Sequence, residues 1–192
     1  MLKRFLKTQI KIILFVFLFL KCSTVEKDSL EEIKNYNLSD RFFKASVKNM
    51  HFLIETRSPE ELNLLFEQWI KANNIPVDAS GCKDGIYTGE SPYDAYDYKH
   101  VVKIEIKNEK IIKIDYDEIK KGGKGKENDI EYNEEMKVTG TSPSIAYPSY
   151  ENQMLEKQNI MKVDAVSGAT YSLYRFRYAL SIALMKAKLE NR

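Results

Sequence analysis

HVVKIEIKNEKIIKIDYDEI, residues 100–119, decides the fold. Val102, Ile104 and Ile106 alternate with Lys103, Glu105 and Lys107. A period of two places the apolar set on one face of a strand and the charged set on the other. Past Asn108–Glu109 the alternation resumes, with Ile112, Ile114 and Tyr116 set against Lys113 and Asp115. The stretch predicts an antiparallel hairpin with one side buried. Its turn lacks the favoured Asn-Gly pair, which leaves the turn type open.

Outward from the hairpin, the periodicity changes. Just upstream, GCKDGIYTG (81–89) mixes turn residues with a short β-like stretch. Before it stands a helical pair over 39–76. The first helix runs from about Ser39 through Phe42, Phe43, Val47, Met50, Leu53 and Ile54. The second has a start signal in Ser58, Pro59 and Glu61, which fit an N-cap, the first helical position and a capping box. Its apolar residues Leu62, Leu65, Phe66, Trp69 and Ile70 share one helical face, and Asn73, Asn74 and Pro76 supply the stop.

Downstream, KKGGKGKEND (120–129) is a Gly/Lys-rich loop. It lacks the GxxxxGK[ST] spacing of a phosphate loop. A short helix ending near Gly140 and a second helix over 149–158 follow. The closing helix starts at about Tyr171, with Leu173, Phe176, Leu180, Ala183, Leu184 and Ala187 on one stripe and Arg175, Lys186 and Lys188 off it. The expected class is α+β: a small antiparallel sheet packed with helices and preceded by a helical pair.

The 192 residues are 43% hydrophobic and 30% charged, with 8 Gly and 5 Pro, which excludes collagen-like, low-complexity and wholly disordered chains. The net charge of +2 is far below that of a protein held to phosphate backbones, so no nucleic-acid partner is expected. Residues 1–21 carry Lys3, Arg4, Lys7, Lys11 and Lys21 and no acid, so the remainder is mildly acidic.

That leader, MLKRFLKTQIKIILFVFLFLKC, has a basic start and an apolar core from Ile12 to Leu20, too short to span a bilayer as a helix and laid out as a signal peptide. Cys22 follows at once, then a polar tether over 22–38. The layout resembles a bacterial lipoprotein signal, which implies acylation of Cys22 and a lipid anchor on the extracytoplasmic side of a membrane. Lys21 departs from the small residue usual before the cysteine; a signal peptide cut elsewhere, or an uncleaved anchor, is the other reading. With Cys22 acylated, Cys82 is left single, without a CxxC partner or a disulfide. His51 and His100 are far apart in sequence and show no metal-ligand spacing, so no metal is expected.

Before the closing helix stands DAVSGATYS, residues 164–172. Small residues at 167–169 allow close approach to the backbone, and a helix start favours an anion. Equally, Ser167, Thr170 or Ser172 could simply be the N-cap. The motif resembles the flavinylation sequence of FMN-binding domain proteins, a module of sodium-pumping quinone reductases, Rnf-type electron transport complexes and small exported lipoproteins. The resemblance covers residues 82–190, supported by DGIYTG (84–89), GTSP (140–143) and EKQ (156–158) in order.

It implies that a flavin transferase links the FMN phosphate to Thr170 through a phosphoester bond. Asp164 then serves transferase recognition or positioning. Ser167, Gly168 and Ala169 shape the turn at the phosphate. Tyr171 stacks on the ring or shields the linkage. The implied function is an extracytoplasmic electron carrier between an unidentified donor and acceptor. The alternatives are a surface lipoprotein using the fold as a binding or structural module and a flavin-dependent reductase. Ring-stacking candidates are Tyr87, Tyr98, Tyr116, Tyr132, Tyr147 and Tyr150.

Overall fold

The structure, a computed structural model, describes residues 41–190. The leader, Cys22 and the tether lie outside the described residues. The elements run α1 (Arg41–Thr56), α2 (Pro59–Ala72), β1 (Gly85–Glu90), β2 (Tyr98–Lys107), β3 (Lys110–Lys120), α3 (Ile130–Met136), α4 (Pro143–Lys157) and α5 (Thr170–Leu189). One 3₁₀ turn follows α3 and another, Ile160–Lys162, follows α4. This is the expected α+β fold, with the helical pair ahead of the sheet.

The three strands are antiparallel in the order β1-β2-β3. Val102, Ile104 and Ile106 are buried, as their alternation requires. The second half of the hairpin departs from simple alternation. A bulge between Glu105 and Ile106 pairs Ile106 with Ile111 and Ile104 with Ile114. Ile111 is therefore buried and Ile112 exposed, which corrects the expected face for Ile112. An extra residue on one strand shifts which side chains point inward, and period counting cannot see it.

The Asn108–Glu109 turn has both residues at positive φ, 51° and 58°, the pattern of a two-residue primed turn without glycine. Side-chain bonds hold it: the Asn108 N–H donates to Asp84 Oδ1 at 2.9 Å, and Glu109 Oε1 accepts from the Gly81 N–H at 2.8 Å.

Helix α2 starts as the sequence predicts. Ser58 Oγ accepts from the Glu61 N–H, and the Glu61 carboxylate accepts from the Ser58 N–H. Helix α4 begins six residues earlier than expected, at Pro143 behind Ser142. It ends at Gln158, whose left-handed backbone turns its side chain onto β3. There Oε1 accepts from the Ile111 N–H and Nε2 donates to the Ile111 carbonyl, both at 2.9 Å.

Helix α5 is the centre of the molecule. It packs on β1 and β2 on one side and on α1 and α2 on the other, and α4 packs on β3. A helix covered on both sides cannot keep a narrow apolar stripe, and Leu173 through Met185 are buried almost without break, Arg175 excepted. The strand β1 comes close enough at Gly89 that an added Cβ would strike the Ala179 carbonyl and the Ala183 nitrogen. On the other side Trp69 stacks on Tyr178 at 5.7 Å and donates from Nε1 to Ser46 Oγ, while the Tyr178 and Tyr174 hydroxyls donate to the Val47 and Pro59 carbonyls. The helical pair thus shares one core with the sheet domain.

Candidate functional site

Two helix starts converge on one cleft of about 140 Å³. Thr141, Ser142 and Pro143 open α4; Gly168, Ala169 and Ser172 open α5. Neither N-cap residue, Ser142 or Ala169, caps its helix with its own side chain, but the first turn of α4 is closed by Asn133, whose Oδ1 accepts from the Ser144 N–H at 2.8 Å. The N-cap reading of Ser167, Thr170 and Ser172 is therefore overturned. The start of α5, which has no side-chain cap, brings a positive dipole end to this space.

Two cations line the same space. Lys126 reaches in from the Gly/Lys-rich loop and Arg175 from the second turn of α5. Arg175 was expected to point away from the core, yet its side chain is only 19% exposed. The Arg175 guanidinium forks onto Glu55 at 3.2 and 3.0 Å and lies 3.8 Å from Glu118. Glu118 is buried and meets Lys126 at 2.7 Å. Burial opposes its ionisation, but His100, Lys126 and Arg175 pull its carboxyl down to about 2. His100 is held neutral at pH 7, because burial pushes it down to about 4, so at that pH Lys126 and Arg175 keep Glu118 charged.

The segment 163–169 is fastened from three directions. Arg177 Nη2 donates to the Val163 carbonyl at 2.8 Å. Gln153 brackets Asp164, accepting from its N–H at 2.8 Å and donating to its carbonyl at 3.2 Å. The Tyr150 hydroxyl donates to the Ala169 carbonyl at 2.7 Å. Gly168, at φ 81°, makes the turn into α5.

Among the residues singled out from sequence, Gly168 and Ala169 line the cleft. Thr170 is the next residue, the first of α5, half-buried and outside the lining. Ser167 and Tyr171 are exposed. Asp164 faces solvent, ion-paired with Lys157 at 2.6 Å, and that hydrogen bond lowers its pKa. Of the six tyrosines, only Tyr132 and Tyr147 line the cleft. Tyr116 and Tyr150 are core residues, Tyr87 lies against Glu190, and Tyr98 lies under the Lys126 ammonium at 4.1 Å. Cys82 is buried and unpaired, and burial raises its thiol pKa.

Sequence reading missed Lys126, Glu118, Arg175 and Gln153. The one available signal was Arg175, less than one turn past DAVSGATYS on a helix whose neighbours are apolar. His51 and His100, far apart in sequence, are set side by side by the fold, ring centres 6.4 Å apart.

The structure is a small α+β module with a cleft lined by Lys126, Arg175 and Glu118 at two helix starts. No family model matches the chain. The crystal structure of the CPE2226 protein from Clostridium perfringens is 32% identical with a TM-score of 0.53, covering 57% of this chain and 91% of that one. The chain belongs to the family of that protein. The 15 kDa lipoprotein of Treponema pallidum (strain Nichols) is 31% identical over 86 residues, 44% of this chain and 61% of that protein. The match thus spans less than two thirds of that relative's length.

Proposed function

We propose that the protein is an exported lipoprotein, anchored through Cys22, that carries FMN esterified to Thr170 and passes electrons outside the cytoplasm. The observation that carries this reading is the cleft: the uncapped start of α5, the start of α4, Lys126 and Arg175 meet beside the first residue of α5. Such a site takes a phosphate group. At about 140 Å³ it is smaller than the ~300–1,000 Å³ of pockets that engulf a ligand, so it suits a phosphate end with the ring lying over its mouth. Tyr132 is the lining aromatic nearest the loop cation, with the Lys126 ammonium 5.1 Å from its ring.

The chain's own residues bind and orient. The Thr170 hydroxyl is not ionised at neutral pH and no base is assigned to it, so a separate flavin transferase must activate it. Lys126 and Arg175 offset phosphate charge. Gln153, Tyr150 and Arg177 hold the turn. The attached flavin would supply the redox chemistry.

A second reading keeps the lipoprotein and drops the flavin: a surface protein using the fold as a binding or structural module. The name of the treponemal relative favours it, since that name specifies a lipoprotein. Co-expression with a flavin transferase separates the two. The first reading expects a yellow protein whose mass rises by FMN less one water, and a colourless, unshifted Thr170→Ala variant. A colourless wild type made beside an active transferase leaves the second.

A further inference from the structure

We infer that His51, Glu55 and His100 form a site for a divalent transition-metal ion, with zinc the best match to the ligand set. The site is separate from Thr170 and does not rest on the flavin reading. His51 and Glu55 stand one turn apart on α1 and so share a face. His100 comes from the buried face of β2, in register with Glu118 on β3. One candidate ligand atom from each of the three residues lies within 4.8 Å of the others.

The ring nitrogens point to a missing ligand. His100 is fully buried, and neither of its nitrogens has a hydrogen-bond partner. His51 is 8% exposed, and its Nε2 has none either. Buried polar atoms are hydrogen-bonded as a rule, so three orphaned nitrogens at one place call for an explanation. Burial lowers the pKa of both rings, which leaves them neutral at pH 7, the state that ligates.

The surroundings have the outer partners that metal ligands use. Arg175 fixes the Glu55 carboxylate with two hydrogen bonds, and each carboxylate oxygen keeps a further lone pair. Glu118 Oε1 stands 3.7 Å from His100 Nδ1, close enough to take its proton in a hydrogen bond if the ring shifts slightly. His100 then ligates through Nε2, the arrangement in which a carboxylate orients a zinc-bound imidazole. Arg175 adds positive charge near the ion, and the carboxylates of Glu118 and Asp94 offset it. Two imidazoles and a carboxylate with an open fourth position match zinc, whose ligand bonds of ~2.0–2.2 Å require the three side chains to close by about 1 Å.

The test uses the full-length protein in detergent, stripped with chelator and titrated with Co²⁺ as a coloured stand-in, then with Zn²⁺ in competition. One equivalent of Co²⁺ should give visible d–d bands that Zn²⁺ abolishes. His51→Gln and Glu55→Gln, each checked by circular dichroism, should weaken binding at least ~10-fold. Glu55 is on the accessible side of the cluster, so its variant decides the matter if His51→Gln does not fold. Absence of bands at equimolar cobalt, or affinity unchanged in the folded variants, overturns the proposal.

Discussion

Glu118 and its two cations join the sheet to the cleft. Lys126 is 11% exposed and Glu118 only 1%, so the pair is largely out of water. Removing one member strands the other, which costs about 3–5 kcal/mol. Lys126→Ala should sit at the low end, because Arg175 remains 3.8 Å from Glu118; a urea melt measures it. Glu151 gives a pH signature of a different sign. Burial drives its carboxyl up to about 7, against an accepted hydrogen bond from the Tyr116 N–H and with help from Glu127, Asp115 and Asp117. The folded state therefore holds this proton more tightly than the unfolded chain, whose value is 4.5. Its stability is full below that value and is lost as pH rises through about 7. Glu151→Gln should melt higher than wild type at pH 8 and lose that advantage at pH 5; an unchanged difference across the two would refute the assignment. None of these residues was legible in sequence, because charged positions on an alternating strand read as solvent-facing until the loop or helix covering them is known.

Elements were legible where local chemistry decides them. The Ser58–Pro59–Glu61 start of α2 is a local event, and it forms as read. Ser58→Ala should cost about 1 kcal/mol in thermal or urea unfolding. The buried half of β2 was equally plain, since Val102, Ile104 and Ile106 follow the pleat. The bulge that turns Ile112 outward was not, because register is a property of two strands. The face of α5 was underestimated for the same kind of reason: an amphipathic pattern shows one partner, and this helix has partners on two sides. The contact of β1 with α5 gives a sharp test. Gly89→Val must displace helix backbone rather than a flexible side chain. It should destabilise by about 3 kcal/mol or more, read as a lower denaturation midpoint with unchanged slope.

At the scale of the whole molecule, the helical pair is part of the working domain. Glu55 on α1 holds Arg175, which reaches the cleft, and Tyr174 and Tyr178 fasten α5 to the pair. Of the motif DAVSGAT, Gly168 and Ala169 line the cleft. The rest of the lining comes from the loop, α3, α4 and β3, which no local motif reveals. The proposed account makes the molecule a lipid-anchored carrier with its cofactor tied on at Thr170. The most direct measurement is peptide mass mapping of the protein isolated from its own cells. The account predicts that the peptide containing Thr170 carries FMN less one water on that hydroxyl. An unmodified Thr170 peptide, from cells in which the transferase is active, would contradict it.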